Sequence, residues 1–171
     1  SKVLSPEAWA YYSSAADDLE TYHENRAVFR RIWLRPRILR NVRYVDPSTK
    51  ILGIPSALPF YITATALGRM GHPDGELNLT RAAAKTGLIQ MIPTLSSVSF
   101  DEIIDARNQE GGPAQFFQLY VSTDRNVVAN MLRRAEETNV KAIFVTVDAP
   151  QLGRREQDMR MHLSLIHISE P

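Results

Sequence analysis

From Pro59 onward the apolar positions gather into four compact runs, FYITA (60–64), LIQMI (88–92), QFFQLYV (115–121) and AIFVTV (142–147). Nearly continuous apolar runs of this length suit strands covered on both faces, as in a parallel sheet. Their starts, at 60, 88, 115 and 142, are spaced by 28, 27 and 27 residues. Helical patterns lie between them. Asp74 is the expected cap of a helix that closes at Gly87, and Ser99 with Glu102 has capping-box spacing. In DRNVVANMLRRAEETN, Val127, Val128, Met131, Leu132 and Ala135 fall on one helical face.

Before this rhythm, SPEAWAYYSSAADDLETYHENRAVFRRIW predicts a helix in two pieces, with Ser5 as cap, Pro6 at the first helical position and Glu7 at the positive end of the dipole. The proline- and turn-rich stretch that follows predicts an irregular connection with short strands at about 39–45 and 50–53.

Strand, helix, strand at a steady period means repeated right-handed βαβ units. A doubly wound sheet would carry a glycine-rich phosphate loop after its first strand. TATALGRMGHPDGE lacks GxGxxG, and there is no Walker loop. A β/α barrel instead puts polar residues beyond the C-terminal end of each strand. Here these are Thr63 and Thr65, then Pro93 and Thr94, then Gln118 and Tyr120, then Thr146 and Asp148. The predicted fold is α/β: the first four β/α units of an eight-stranded β/α (TIM) barrel, preceded by N-terminal helices.

Composition narrows the chemistry. The 171 residues carry a net charge of +1, which gives no reason to expect nucleic acid or a membrane as partner. Without cysteine, thiolate chemistry and disulfides are excluded. His23 and His72 have no ligand-spaced neighbours, so no metal site is expected. Asn78-Leu79-Thr80 matches a glycosylation pattern but falls inside a predicted helix, and it reads as chance. The strand ends offer hydroxyls, an amide, a phenol and a carboxylate. Such a set suits a polar, planar cofactor held by hydrogen bonds better than a metal. Singly, Thr63 and Thr65 read equally as strand-end hydroxyls satisfied by backbone, Tyr120 as a core ring, and Tyr11 as helix packing. Asp148 is harder to dismiss, since a carboxylate closing a buried strand needs a partner. Arg154 and Arg155 follow that strand end, which favours one arginine pointing at the site.

AWAYYSSAADD, RPRILRNV, PFYITATALGRMGHPDGE, QFFQLYV and VTVDAPQLGRREQDMR together resemble the FMN-dependent α-hydroxy-acid dehydrogenase and oxidase family, from about Leu4 to His162. That family includes glycolate oxidase, lactate oxidases and flavocytochrome L-lactate dehydrogenases. The resemblance implies a β/α barrel that binds FMN and oxidises an L-2-hydroxy acid. It implies that the turn Thr63, Ala64, Thr65, Ala66 touches the flavin, largely through backbone, and that Gln118 and Thr146 hydrogen-bond its ring. Tyr11 is implied to bind the substrate carboxylate, Tyr120 to contact the reacting end, Arg155 to lie near the substrate, and Asp148 to orient the catalytic histidine. Pro93 stands where many members carry a flavin-contacting serine. Leu95 occupies a pocket-lining position that is tryptophan in glycolate oxidase, which favours lactate or a longer acid over glycolate. The partner is then a small 2-hydroxy acid, with the electron acceptor open, a homo-oligomer expected at full length, and a mitochondrial or cytoplasmic location guessed from the family.

The family's lysine, histidine base and Gly-Gly-Arg phosphate segment do not occur in these residues. Residues 1–162 therefore read as the N-terminal half of the family domain, inactive alone. Leu163 to Pro171, LSLIHISEP, reads as one frame of a transposase adapter used in sequencing libraries, so His167 is not taken as a base. The competing readings are a non-catalytic half-barrel that pairs with itself or a full-length homologue, and an FMN-dependent isomerase. Tyr11, Tyr120 and Asp148 occurring together count against the isomerase.

Overall fold

A computed structural model describes residues 3–148 and 153–161. His162 and the segment read as adapter lie outside them. The described residues form two compact units, one of 3–46 with 153–161 and the other of 47–148.

In the first unit, α1 (Pro6–Ser13) starts as its sequence dictates: the Ser5 hydroxyl accepts from the Ala8 amide at 3.2 Å, and Pro6 holds the first turn. α2 (Glu20–Ala27) runs into a 3₁₀ turn at Val28–Arg31. The strand expected near 39–45 does not form. That stretch has no pairing partner among the described residues, and Leu39, Val42 and Val45 are exposed.

The second unit opens with a hairpin, β1 (Thr49–Ile51) antiparallel to β2 (Ile54–Ser56), which replaces the single strand expected at 50–53. Its two-residue turn has Leu52 at φ 51° and Gly53 at φ 80°, positive at both positions, the sense that suits the twist of a tight hairpin. Next comes the parallel sheet. The run at 60–64 contributes a single bridge, Ile62 to Gln90, rather than a full strand; the Ile62 amide donates to Ile89 and its carbonyl accepts from Met91. β3 (Gln90–Ile92), β4 (Gln115–Leu119) and β5 (Ala142–Val145) then pair in parallel in that order.

α3 (Leu77–Thr86), α4 (Phe100–Gln109) and α5 (Arg125–Glu137) connect them. α3 closes at Gly87 in the left-handed conformation, φ 67°, as read from sequence. Its start differs: Asp74 does not cap it but pairs with Arg81 at 2.8 Å, and Glu76 occupies the cap position. α4 carries the complete Ser99–Glu102 capping box, and Asp124 caps α5 through the Asn126 amide.

Alternation along the strands splits the apolar residues into two layers. Ile92, Phe117 and Leu119 pack against Val98, Ile103, Ile104, Val128 and Met131 on the helix side. Met91 and Phe116 face the other way, with Ile51 and Ile54 of the hairpin and with Tyr61, Ala142 and Phe144. Phe116 is fully buried, edge-on to Tyr61 at 5.8 Å and tilted against Phe144 at 5.4 Å. This second layer corresponds to the barrel interior, and the residues above it on the same strand face are Gln118 and Thr146.

Candidate functional site

At the C-terminal ends of the parallel strands three polar residues form a continuous chain of hydrogen bonds through side chains and backbone. The Thr94 amide donates to Gln118 Oε1 at 3.1 Å, and Gln118 Nε2 donates to Thr146 Oγ1 at 2.8 Å. The Thr94 hydroxyl donates to the Gln118 carbonyl at 2.6 Å and accepts from the Tyr120 amide at 3.0 Å. Strand pairing brings these residues level, because β3 ends at Ile92 beside Phe117 and Gln118 pairs with Phe144. Thr94 was a strand-end polar residue in sequence, but its part as the link that fixes Gln118 is visible only in three dimensions.

Around this rim, Thr63 and Thr65 are exposed, while Ala64 and Ala66 are half-buried on the turn that follows the Ile62 bridge. Tyr120 is 44% exposed, so it is not the core ring that its apolar neighbours suggested. Leu95 is half-buried, and its carbonyl accepts from the Leu67 amide at 3.2 Å. Asp148 is exposed. β5 is the edge of the described sheet, with residues alternately half-buried and exposed, so the expectation of a carboxylate closing a strand buried on both faces is not met.

Among the described residues the most buried carboxylate is one that sequence reading passed over. Glu76 is 0% exposed; its Oε1 accepts from the Gly68 and Ser97 amides at 2.8 and 3.0 Å, and its Oε2 from the Ser97 hydroxyl at 2.7 Å. Burial pushes its carboxyl up, but the donors from Ser97 and Gly68 together outweigh burial and hold it below the ordinary carboxylate range. The available signal was spacing: Glu76, Thr80 and Ala83 share one buried helical face, where an acidic residue is out of place.

The other two candidates lie in the first unit. The Arg155 guanidinium donates to the Tyr11 carbonyl at 2.7 Å and sits over the Tyr11 ring, 4.8 Å from its centroid. Arg155 also pairs with Asp158 of a short helix α6 (Glu156–Arg160) at 2.8 Å. Asp158 is 3% exposed, so this ion pair is partly desolvated, unlike the pair of Arg154 with Asp17 at the surface.

A shallow hollow of about 630 Å³, lined by Lys50, Ser56, Gly87 and Pro113 among others, lies at the opposite, N-terminal end of the strands. Among the described residues, no cluster of three or more acidic or histidine side chains is placed to hold a metal, and no helix is long and apolar enough to cross a membrane.

Parallel strands alternating with helices, with polar side chains gathered where the strands end, define the first half of a β/α barrel. The chain belongs to the FMN-dependent dehydrogenase family, whose match spans residues 1–169. It is 50% identical over 160 residues to L-lactate dehydrogenase (cytochrome) of Wickerhamomyces anomalus, covering 94% of this chain and 28% of that protein. Against glycolate oxidase of Spinacia oleracea it is 46% identical over 150 residues, covering 88% of this chain and 40% of the other. The flavin-binding domain of baker's yeast flavocytochrome b2 superimposes with a TM-score of 0.88 at 45% identity, over 96% of this chain and 42% of that one. Mandelate oxidase superimposes with a TM-score of 0.87 at 36% identity, over 94% of this chain and 47% of that one. The chain thus spans less than half the length of these relatives, from 28% to 47%.

Proposed function

We propose that the chain supplies the N-terminal half of an FMN-dependent enzyme that oxidises an L-2-hydroxy acid, lactate-like in size, to the 2-oxo acid. The observation that carries this reading is the Thr94–Gln118–Thr146 chain at the rim of a family-matched half-barrel. Its donor set fits the flavin ring. After its bonds to Thr94 and Thr146, the Gln118 amide keeps a second N–H, and Thr146, which accepts from Gln118, keeps its own O–H to donate. The exposed hydroxyls of Thr63 and Thr65 stand on the adjoining strand end.

When bound, FMN supplies the acceptor for two electrons. Gln118 and Thr146 hold the ring by donated hydrogen bonds, and the turn Thr63, Ala64, Thr65, Ala66 meets it through backbone. Tyr120 offers its hydroxyl to the reacting end of the substrate, and Leu95 lines the space for its side chain. Tyr11 binds the substrate carboxylate, with Arg155 supplying positive charge nearby. Asp148, exposed, pairs with a histidine base carried by the rest of the family barrel and stabilises it once protonated. Turnover then needs that base together with the residues of this half.

A second reading, a non-catalytic half-barrel that pairs with itself or a full-length homologue, draws on the edge that β5 leaves unpaired among the described residues, with Val145 on the strand 50% exposed and Val147 just beyond it 86% exposed. One experiment separates the two. Residues 1–161 replace the matching segment of the W. anomalus enzyme, and steady-state oxidation of L-lactate, glycolate and longer 2-hydroxy acids is compared. Turnover with L-lactate preferred over glycolate supports the first reading. A folded barrel that oxidises none of them refutes it.

A further inference from the structure

We infer that Glu76 is a positioning residue for the flavin side of the rim: it clamps the turn that carries Thr63–Ala66 to the loop that carries Leu95. This rests on the reading that the rim holds FMN. The two segments arise from different strands, and no ladder of strand hydrogen bonds joins them beyond the Ile62–Gln90 bridge. What joins them is a clasp centred on one carboxylate. Glu76 takes the Gly68 amide from one side and both the amide and hydroxyl of Ser97 from the other. Two further bonds run across the same gap, Leu67 amide to Leu95 carbonyl at 3.2 Å and Arg69 amide to Ser97 hydroxyl at 2.8 Å. Gly68 lies two residues beyond Ala66, and Ser97 two beyond Leu95, so a shift at the clasp reaches both rim segments with little slack.

Three features set Glu76 apart from an ordinary core contact. It is fully buried, yet no Lys or Arg pairs with it among the described residues; its charge is met by three hydrogen-bond donors. Its seat is tight, since a Cβ on Gly68 would come within 2.9 Å of both the Glu76 carboxyl carbon and the Glu76 amide nitrogen. And α3 does not need it for anchorage: Leu77, Thr80 and Ala83 pack the helix, and Gly87 ends it. The carboxylate fixes two loops whose separation matters to a ligand lying against both.

The test uses the full barrel described above, with Glu76→Gln, Glu76→Asp and Ser97→Ala. Glutamine keeps one acceptor oxygen and the reach. Aspartate keeps the charge but is one methylene too short to span both loops. Ser97→Ala removes one donor and leaves the backbone bonds. FMN dissociation constants are measured by flavin fluorescence under conditions where circular dichroism shows every protein folded. Hydrogen exchange at the Gly68 and Ser97 amides is followed in the same apoproteins. The expected result is FMN affinity weakened about tenfold or more in Glu76→Asp and Glu76→Gln and a few-fold in Ser97→Ala, each step reflecting lost charge-assisted hydrogen bonding, with faster exchange at both amides. Folded variants with unchanged FMN affinity would overturn the inference, even if they melt earlier, because a merely structural residue lowers stability without moving the affinity of the folded protein. A parent barrel that folds but binds no FMN would instead remove the functional reading, and this inference with it. Should both Glu76 variants fail to fold, Ser97→Ala alone decides: a few-fold loss supports the clasp and no change overturns it.

Discussion

Replacing Gln118 by leucine isolates the contribution of one amide side chain to both the fold and the site. The substitution removes the acceptor for the Thr94 amide at 3.1 Å and the donor to Thr146 at 2.8 Å. It leaves the bond from the Thr94 hydroxyl to the Gln118 carbonyl, so the backbone register is undisturbed. Two neutral hydrogen bonds contribute about 0.5–1.5 kcal/mol each, a gross loss of about 1–3 kcal/mol. Leucine at a half-buried position returns about 1 kcal/mol through apolar burial. The net destabilisation is therefore about 0–2 kcal/mol, read as a lowered urea midpoint with an unchanged m-value in the full barrel. FMN affinity falls as well, by about tenfold if one donated hydrogen bond to the ring is lost. A variant with the parent's midpoint and the parent's FMN affinity would refute the reading of Gln118 as the centre of the rim.

Phe116→Ala empties a fully buried position between Tyr61 and Phe144 and costs about 3–5 kcal/mol, measured by chemical unfolding of the full barrel. Asp124→Ala removes the cap of α5 and costs about 1 kcal/mol by the same assay, with no change in FMN affinity. Glu76 has a folded pKa below its unfolded value, so its stabilisation is complete above the unfolded pKa and is lost as pH falls through the folded one. Apoprotein stability followed from pH 7 downward is expected to hold until the ordinary carboxylate range and then fall, and Glu76→Gln removes part of that acid dependence.

The strand rhythm carried much of the fold because strands β3, β4 and β5 are short, apolar and evenly spaced, and periodicity reads such elements well. Where it failed, pairing decided. The 60–64 run has the composition of a strand, yet it bonds to β3 through one bridge before turning away, and 39–45 has no strand to pair with among the described residues. Asp74 satisfied the local rule for a cap but found a stronger partner in Arg81. At the site, residue types at strand ends could be picked out one by one. Their linkage could not, because Thr94 and Gln118 are 24 residues apart and Gln118 and Thr146 are 28 apart. Glu76 escaped notice for a related reason: an acidic residue before a helix reads as solvated, and its spacing to Thr80 and Ala83 hints at a buried face without showing that Gly68 and Ser97 converge upon it.

The most direct measurement is the absorption spectrum of the purified full barrel carrying residues 1–161 of this chain, taken before and after anaerobic addition of L-lactate. A bound oxidised flavin that bleaches on addition of lactate, and does so far less completely with Gln118→Leu at limiting FMN, is the predicted result. A folded barrel that retains no flavin, or whose flavin stays oxidised with lactate, would contradict the assignment of this rim to FMN-dependent 2-hydroxy-acid oxidation.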